Sequence, residues 1–374
     1  MQCWVGDYMG VKKVIIYIIL SIVNCFVRLF TIDNRRIVFV SLETDTLESD
    51  QLLLYNELNK QGIYKLQTVL IKYDQKSLKN NFLYLLNTIK QIWYINRSKM
   101  VIINDNNYVI STFKRNGVIV MQVWHAAGAI KKFGNAIKRE YPIRNYDYVI
   151  ANSKYWLQPY QEAFSVPKDH IKVVGMPRLD HLLDAQFHSE TRKQLFFKYP
   201  ILQRKKIILY APTFRGNIYQ GFYSVPLDAQ GLMKSLGSGY IFIYKLHPLL
   251  KDNPFKDCRY AYNMNEESIH DLFTITDILI SDYSSIIFDF SLLHKPILLY
   301  TPDKQSYLQD VGTFVDLEQM PFVSCDSEKE LHTAIIESKL YIEYKTFTDT
   351  YFHFQDGKNT DRVVALITEL METD

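Results

Sequence analysis

VIVMQVWH at Val118–His125 and YIFIYKLH at Tyr240–His247 are apolar, β-branched runs that each close on a histidine. Runs of this kind, too short for helices and apolar on both alternating faces, read as buried strands of parallel sheets. Ligands in open α/β sheets bind outside the carboxyl ends of the strands. A histidine on the last residue of each strand is therefore expected at the binding edge, where its near-neutral pKa suits a base or a cationic phosphate partner. For either histidine alone, simple packing at a strand end is the plain structural alternative.

Outward from these two runs, similar segments alternate with longer amphipathic ones. In the first half they are Arg36–Glu43, Leu66–Tyr73, Met100–Asp105, Tyr148–Ser153 and Ile171–Gly175. Leu182–Arg204 carries no strand pattern and reads as a linker. The alternation restarts with Lys206–Thr213, Ile278–Ser285 and Pro296–Pro302. Strands separated by helical stretches imply βαβ units, and two successive sets imply an α/β chain with two facing Rossmann-like domains. The expected segments are 1–34, a membrane-associating piece; 35–185, the first domain; 186–361, the second; and 362–374, a helix packing back on the first.

The chain has 374 residues, a net charge of +3 and 48% hydrophobic residues. That length exceeds one ordinary core, and the balance excludes a disordered or nucleic-acid-coating protein. Cys3, Cys25, Cys258 and Cys325 form no CxxC pair, which points to a reducing compartment and no structural zinc. Val14–Val27 is apolar with Lys12 and Lys13 before it and Arg28, Arg35 and Arg36 after it. A spanning helix needs ~20 residues. A helix lying in the interface with basic flanks on anionic headgroups fits better, with a buried core helix as the alternative.

Three strand ends of the second half present groups suited to phosphate. APTFR brings Thr213 and Arg215, and KLHP brings Lys245 and His247. SDYSS places Ser284 and Ser285 where they cap the following helix, with Asp289 a turn further on to face the same ligand. Taken singly, the serines are ordinary caps and Asp289 a helix-supporting acid. In the first half, WHAAGAIKKFG sets His125 before a small-residue loop and the pair Lys131 and Lys132, of which at least one reads as a solvated charge. GMPRLD brings Arg178 to another strand end. GxGxxG, Walker and HExxH patterns are missing from the sequence, so direct neutralisation by side chains is expected, with no metal and no cofactor.

Together with FQDGKNTDRVV at Phe354–Val364, these motifs resemble the CDP-glycerol glycerophosphotransferase family of teichoic acid synthesis, in order across roughly Val118–Val364. The resemblance implies a GT-B fold, attachment to the cytoplasmic face of the cell membrane, and transfer of a polyol phosphate from a CDP-activated donor. It makes His125 the general base, and it gives Arg178, Thr213, Arg215, Lys245, His247, Ser284, Ser285 and Asp289 to the CDP-polyol as second-domain positions. Polymerase members carry His-Gly-Thr where this chain has His125-Ala126-Ala127-Gly128. With the short length, this looks more like the glycerol-phosphate primase branch, whose acceptor is an undecaprenyl-diphosphate-linked disaccharide. Other readings stay open: CDP-ribitol as donor, a short polymerase for teichoic acid or capsule, a non-catalytic nucleotide-binding scaffold, and a sugar-transferring glycosyltransferase.

Overall fold

Apolar β-branched runs form the interior strands of two six-stranded sheets, each parallel throughout. The structure is a computed structural model and describes residues 9–72, 77–139, 141–217, 221–248, 250 and 252–373. The first eight residues of the expected membrane-associating segment, and Tyr73 of the expected second strand, lie outside them.

The chain opens with α1 (Met9–Val27), β1 (Asp33–Ser41), α2 (Ser49–Gln61), β2 (Lys65–Leu70), α3 (Leu78–Ile95) and β3 (Ser98–Ile103). It continues through α4 (Tyr108–Phe113), β4 (Ile119–Gln122), β5 (Tyr148–Ala151), α5 (Leu157–Phe164), β6 (Ile171–Val173) and α6 (Leu179–Leu183). Then come α7 (Ala185–Lys198), β7 (Lys206–Tyr210), β8 (Arg215–Asn217), β9 (Gly221–Tyr223), α8 (Ala229–Leu236), β10 (Tyr240–Tyr244) and β11 (Ala261–Asn263). The last stretch holds α9 (Ile269–Ile275), β12 (Ile278–Ser281), α10 (Ile286–Ser291), β13 (Ile297–Tyr300), α11 (Lys304–Val311), β14 (Val323–Cys325), α12 (Glu328–Glu337), α13 (Lys345–Tyr351) and α14 (Asn359–Glu372).

Two compact units result. The first takes the chain up to His125, then Phe133–Asp180 and everything from Phe352 on; the second takes Ala126–Lys132 and His181–Tyr351. The first sheet is ordered β2-β1-β3-β4-β5-β6, so the strand order reverses between β1 and β3. The second is ordered β11-β10-β7-β12-β13-β14 and reverses between β7 and β12. In doubly wound sheets such a reversal opens the ligand crevice. Helices cover the sheets, and the central strands are buried from end to end: Ile37–Val40, Met100–Ile103, Ile207–Tyr210 and Ile278–Ile280 are at most 1% exposed.

Three features differ from the sequence-based expectations. Both histidine-ended strands stop three residues early, at Gln122 and Tyr244. Trp124 turns left-handed at φ 55°, and Leu246 N–H leaves the ladder for Asn265 Oδ1 (2.7 Å). The expected linker is mostly α7, a helix of the second unit that packs on α9 and buries Thr191 and Leu195. The short strands β8, β9, β11 and β14 lack the long apolar runs that mark interior strands.

Candidate active site

At the reversal of the second sheet, the loop after β7 meets the loop after β12. Thr213 N–H donates to Asp282 Oδ1 (2.9 Å), and Ser281 Oγ donates to the Ala211 carbonyl (2.8 Å). Arg215 is buried between two carboxylates: Nη1 donates to Asp282 Oδ2 (2.9 Å), while Nε and Nη2 form a fork on Asp303 (2.6 and 3.2 Å). Its guanidinium also lies 4.9 Å from the Tyr283 ring and 4.4 Å from the Tyr307 ring. Burial opposes its charge, but Asp303 and Asp282 outweigh it and raise the pKa further. Arg215 thus organises the loop through bonds to protein carboxylates. Asp303 sits just beyond the end of β13, where the strand-end rule points, and its negative charge sets it apart from the cationic candidates at the other strand ends.

Lys131 belongs to this unit. The segment before it is held by Phe314 N–H to the Ile130 carbonyl (2.8 Å), and Lys132 N–H donates to the Gly312 carbonyl (3.1 Å). These bonds carry Lys131 Nζ to 2.7 Å from Thr213 Oγ1, over the rings of Phe214 and Tyr307. Burial, helped by Arg215 and resisted by Asp282, lowers its pKa to about 8. Lys131 is thus the buried member of the lysine pair, and Lys132 is the solvated one. His247 joins the cluster through an edge contact with Phe214, ring centroids 4.7 Å apart.

The remaining second-unit candidates have other engagements. Lys245 Nζ donates to the carbonyls of Asn265 and Glu267 (2.9 and 2.6 Å), tying down the loop after β11. Ser285 stands at the N-cap of α10 in helical conformation and makes no side-chain cap bond, so the expected capping is not formed; Ser284 and Ser285 are half-buried beside Asp282. Asp289 is buried and accepts from His270 Nε2 of α9 (2.9 Å).

In the first unit, the loops after β1, β3 and β4 converge. Leu42 N–H donates to Asp105 Oδ2 (2.5 Å), Gln122 Nε2 donates to the Asp105 carbonyl (2.7 Å), and Trp124 N–H donates to Gln122 Oε1 (2.8 Å). His125 is exposed; its Nδ1 lies 2.9 Å from the Asn104 carbonyl and 3.7 Å from Glu43 Oε1. A carbonyl only accepts, so this bond places the proton on Nδ1 and leaves the Nε2 lone pair as the acceptor. The imidazole stacks on Trp124 at 4.0 Å, and Trp124 stacks on Phe133 at 4.5 Å. Burial, with Glu43 adding to it, pushes Asp105 up to about 8.

Arg178 lies in the first unit and not among the second-unit residues. It is buried, with its N–H on Asp50 Oδ1 (2.9 Å) and Nη1 3.6 Å from Asp50 Oδ2. The motif around it forms a clasp with the C-terminal motif. Asp180 accepts from the N–H groups of Asn359 and Thr360 and from Thr360 Oγ1 (2.9, 2.7 and 2.7 Å), capping α14. Gly175, at φ 79°, lies so near Asn359 that a Cβ would come within 2.0 Å of its Oδ1. Among the described residues, no group of three or more His, Cys, Asp or Glu side chains is placed to hold a metal ion.

Two doubly wound sheets, each with a polar cluster where its strand order reverses, define an α/β protein of the doubly wound class. Residues 21–369 match the model of the CDP-glycerol:poly(glycerophosphate) glycerophosphotransferase family, and the chain belongs to it as an enzyme of that family. A teichoic acid ribitol-phosphate primase of Bacillus spizizenii is 29% identical, over 92% of this chain and 93% of that one. A teichoic acid glycerol-phosphate primase of Bacillus subtilis is 32% identical, over 76% and 77%. A poly(ribitol-phosphate) polymerase of B. spizizenii is 30% identical over 91% of this chain but only 57% of its own. The fold is shared with the wall teichoic acid polymerase TagF (TM-score 0.75, 20% identity, 94% of this chain and 93% of that one). It is shared less closely with a UDP-GlcNAc 2-epimerase of Methanocaldococcus jannaschii (TM-score 0.54, 12% identity, 89% and 99%).

Proposed function

We propose that the protein transfers glycerol phosphate from CDP-glycerol to a hydroxyl of an undecaprenyl-diphosphate-linked disaccharide, releasing CMP, as a primase of wall teichoic acid linkage. The observation that carries this reading is His125 with Nδ1 bonded to a carbonyl, which leaves Nε2 as the base. Nε2 takes the acceptor's hydroxyl proton as that oxygen attacks the donor's β-phosphorus. The bond from the β-phosphorus to the bridging oxygen breaks, and CMP leaves with that oxygen. Phosphoryl transfer needs positioning and charge neutralisation rather than covalent assistance. Lys131, Thr213, His247 and the Ser284/Ser285 turn are the groups proposed to meet the donor diphosphate. The pairing of the units is proposed to be of the GT-B class, with the first serving the acceptor and the second the donor.

A lipid-linked acceptor calls for a body attached to the cytoplasmic face of the cell membrane. No described helix is long and apolar enough to cross a membrane. Yet α1 exposes Val14, Ile15, Ile18, Ile22 and Phe26, and α3, packed against it, exposes Leu78, Phe82, Leu83 and Leu86. Arg28, Lys114 and Arg115 line a recess of about 320 Å³ close by in the sequence of α1 and α4. Apolar helix faces with a basic neighbour support interfacial binding to anionic lipid.

CDP-ribitol is the second reading for the donor, favoured by the ribitol-phosphate primase that this chain matches almost end to end. Mass spectrometry of a soluble lipid-diphosphate-disaccharide analogue, incubated with the protein and either CDP-polyol, separates the readings. One added glycerol phosphate per acceptor, with CMP released, is expected; a ladder of products marks a polymerase, and ribitol phosphate alone reverses the donor. His125→Ala is expected to lower turnover ~10²–10⁴-fold while retaining donor binding; undiminished turnover removes the base assignment.

A further inference from the structure

Trp124 holds φ 55°, a left-handed conformation that costs a bulky side chain of order 1–3 kcal/mol and persists only where its surroundings enforce it. The enforcement is visible. Gln122, the last residue of β4, is fully buried, and its amide uses both ends: Oε1 accepts Trp124 N–H (2.8 Å) and Nε2 donates to the Asp105 carbonyl (2.7 Å). A single side chain therefore pins the turn after β4 to the loop after β3. That same β3 loop supplies the Asn104 carbonyl that holds His125 Nδ1 at 2.9 Å. Leu42 N–H on Asp105 Oδ2 (2.5 Å) fixes the β3 loop in turn to the loop after β1, the loop that carries Glu43.

We infer that Gln122 is a positioning residue for His125: by locking the left-handed turn at Trp124 against the Asp105 carbonyl, it holds the imidazole on Asn104 with Nε2 as the proton acceptor. The functional part of this inference rests on His125 as the base; the geometric part does not. An apolar residue of similar size at position 122 leaves Trp124 N–H unpaired in the interior and the Asp105 carbonyl with only the long bond from the Tyr146 hydroxyl (3.5 Å). The turn then relaxes, and His125 loses registry with Asn104. A shift of about 1 Å in a reacting group costs on the order of 10² in rate.

The groups facing His125 give the inference its contrast. Asn104 comes from the loop after β3, Glu43 from the loop after β1, and Trp124 from its own turn. Glu43 lies 3.7 Å from Nδ1 and is exposed, so it does not replace the carbonyl at 2.9 Å as the group that sets the tautomer.

The test is long-range proton–nitrogen NMR of the full-length protein labelled at histidine nitrogens, with His125→Gln identifying the His125 signals. The wild type is expected to show the Nδ1–H tautomer, and Gln122→Leu a mixture enriched in the Nε2–H form. In the same variant kcat should fall ~10–100-fold, with CDP-glycerol affinity changed less than about twofold. Gln122→Glu keeps the acceptor for Trp124 N–H, loses the donor to Asp105, and serves as the second variant if Gln122→Leu does not fold. An unchanged tautomer in either folded variant overturns the inference, as does failure of both to fold, since Gln122 is then a structural residue alone. Full activity of His125→Gln defeats the base assignment instead and leaves the tautomer readout to judge Gln122.

Discussion

Asp105 and Asp282 occupy the same station in their two sheets. Each follows the strand across the point where strand order reverses, and each accepts a backbone N–H from the loop opposite, Leu42 at 2.5 Å and Thr213 at 2.9 Å. They differ in company. Asp282 meets the Arg215 guanidinium, whereas Asp105 is buried with the Glu43 carboxylate acting on it, and its Oδ1 has no hydrogen-bond partner among the described residues. Burial raises both carboxyl pKa values, but at Asp282 the Arg215 guanidinium works against that rise, whereas at Asp105 Glu43 adds to it.

Asp105 therefore makes stability fall as pH rises. Its folded pKa of about 8 lies above the ordinary 3.8, so its contribution is complete below the unfolded value and is lost as pH climbs through about 8. Asp105→Asn keeps an acceptor for Leu42 N–H and removes the titration. Its stability relative to wild type, followed by urea denaturation, should increase from pH 5 to pH 8 and level off above. The full span is on the order of 5 kcal/mol, and a flat difference across that range contradicts the assignment.

Lys131 acts in the opposite sense. Its folded pKa of about 8 lies below the ordinary 10.5, so its contribution is complete above 10.5 and is lost as pH falls through about 8. Lys131→Met should therefore be more stable than wild type at pH 7, by up to ~3 kcal/mol, with the gain vanishing towards pH 10.5. The same variant should bind CDP-glycerol at least tenfold more weakly, since it removes the ammonium on Thr213. Isothermal titration and thermal melts across that pH range report both; tighter donor binding would take Lys131 out of the site.

Gly175 tests the clasp. Its backbone is left-handed, and a Cβ would press on Asn359 Oδ1 at the start of α14. Gly175→Ala should cost about 2–4 kcal/mol and release α14. Hydrogen exchange should then rise over Asn359–Glu372 ahead of the two sheets. Asp180→Ala, which removes the three bonds capping α14, should show the same regional pattern at smaller cost, about 1–2 kcal/mol.

The interior strands, the alternation into two α/β units and the strand-end clusters were legible because β-branched runs such as Ile207–Tyr210 and Met100–Ile103 must be buried on both faces. The family motifs were legible as words but not as contacts. The sequence around Arg178 reads as a strand-end cation, yet its burial on Asp50 depends on α2 lying alongside, 128 residues away. Arg215 reads as a phosphate fork, yet Asp303 claims it from 88 residues on. Asp289 reads as one turn from the serines, while its partner His270 comes from another helix. Such pairings are set by topology, which local spacing does not encode. Gln122 gave no signal at all: a glutamine inside an apolar strand is informative only once both ends of its amide have partners.

The apolar faces of α1 and α3 separate two accounts of the proposed membrane attachment. If α1 alone enters the interface, charges on α3 should leave binding intact. If the two packed helices enter together, each contributes. Ile22 and Phe26 are 65% and 54% exposed on α1, and Phe82 is 59% exposed on α3. Fully burying a side chain of this size is worth ~1.5–3 kcal/mol, so half-burial in acyl chains supplies about 1 kcal/mol each. Ile22→Asp with Phe26→Asp should weaken co-sedimentation with phosphatidylglycerol-containing vesicles at least tenfold, and Phe82→Asp alone by about fivefold. Arg115→Glu should weaken binding to those vesicles and leave the weaker binding to phosphatidylcholine-only vesicles unchanged, because the basic recess acts on headgroup charge. Full binding by Phe82→Asp would confine the membrane contact to α1, and full binding by all of these variants would remove it from this face of the first unit.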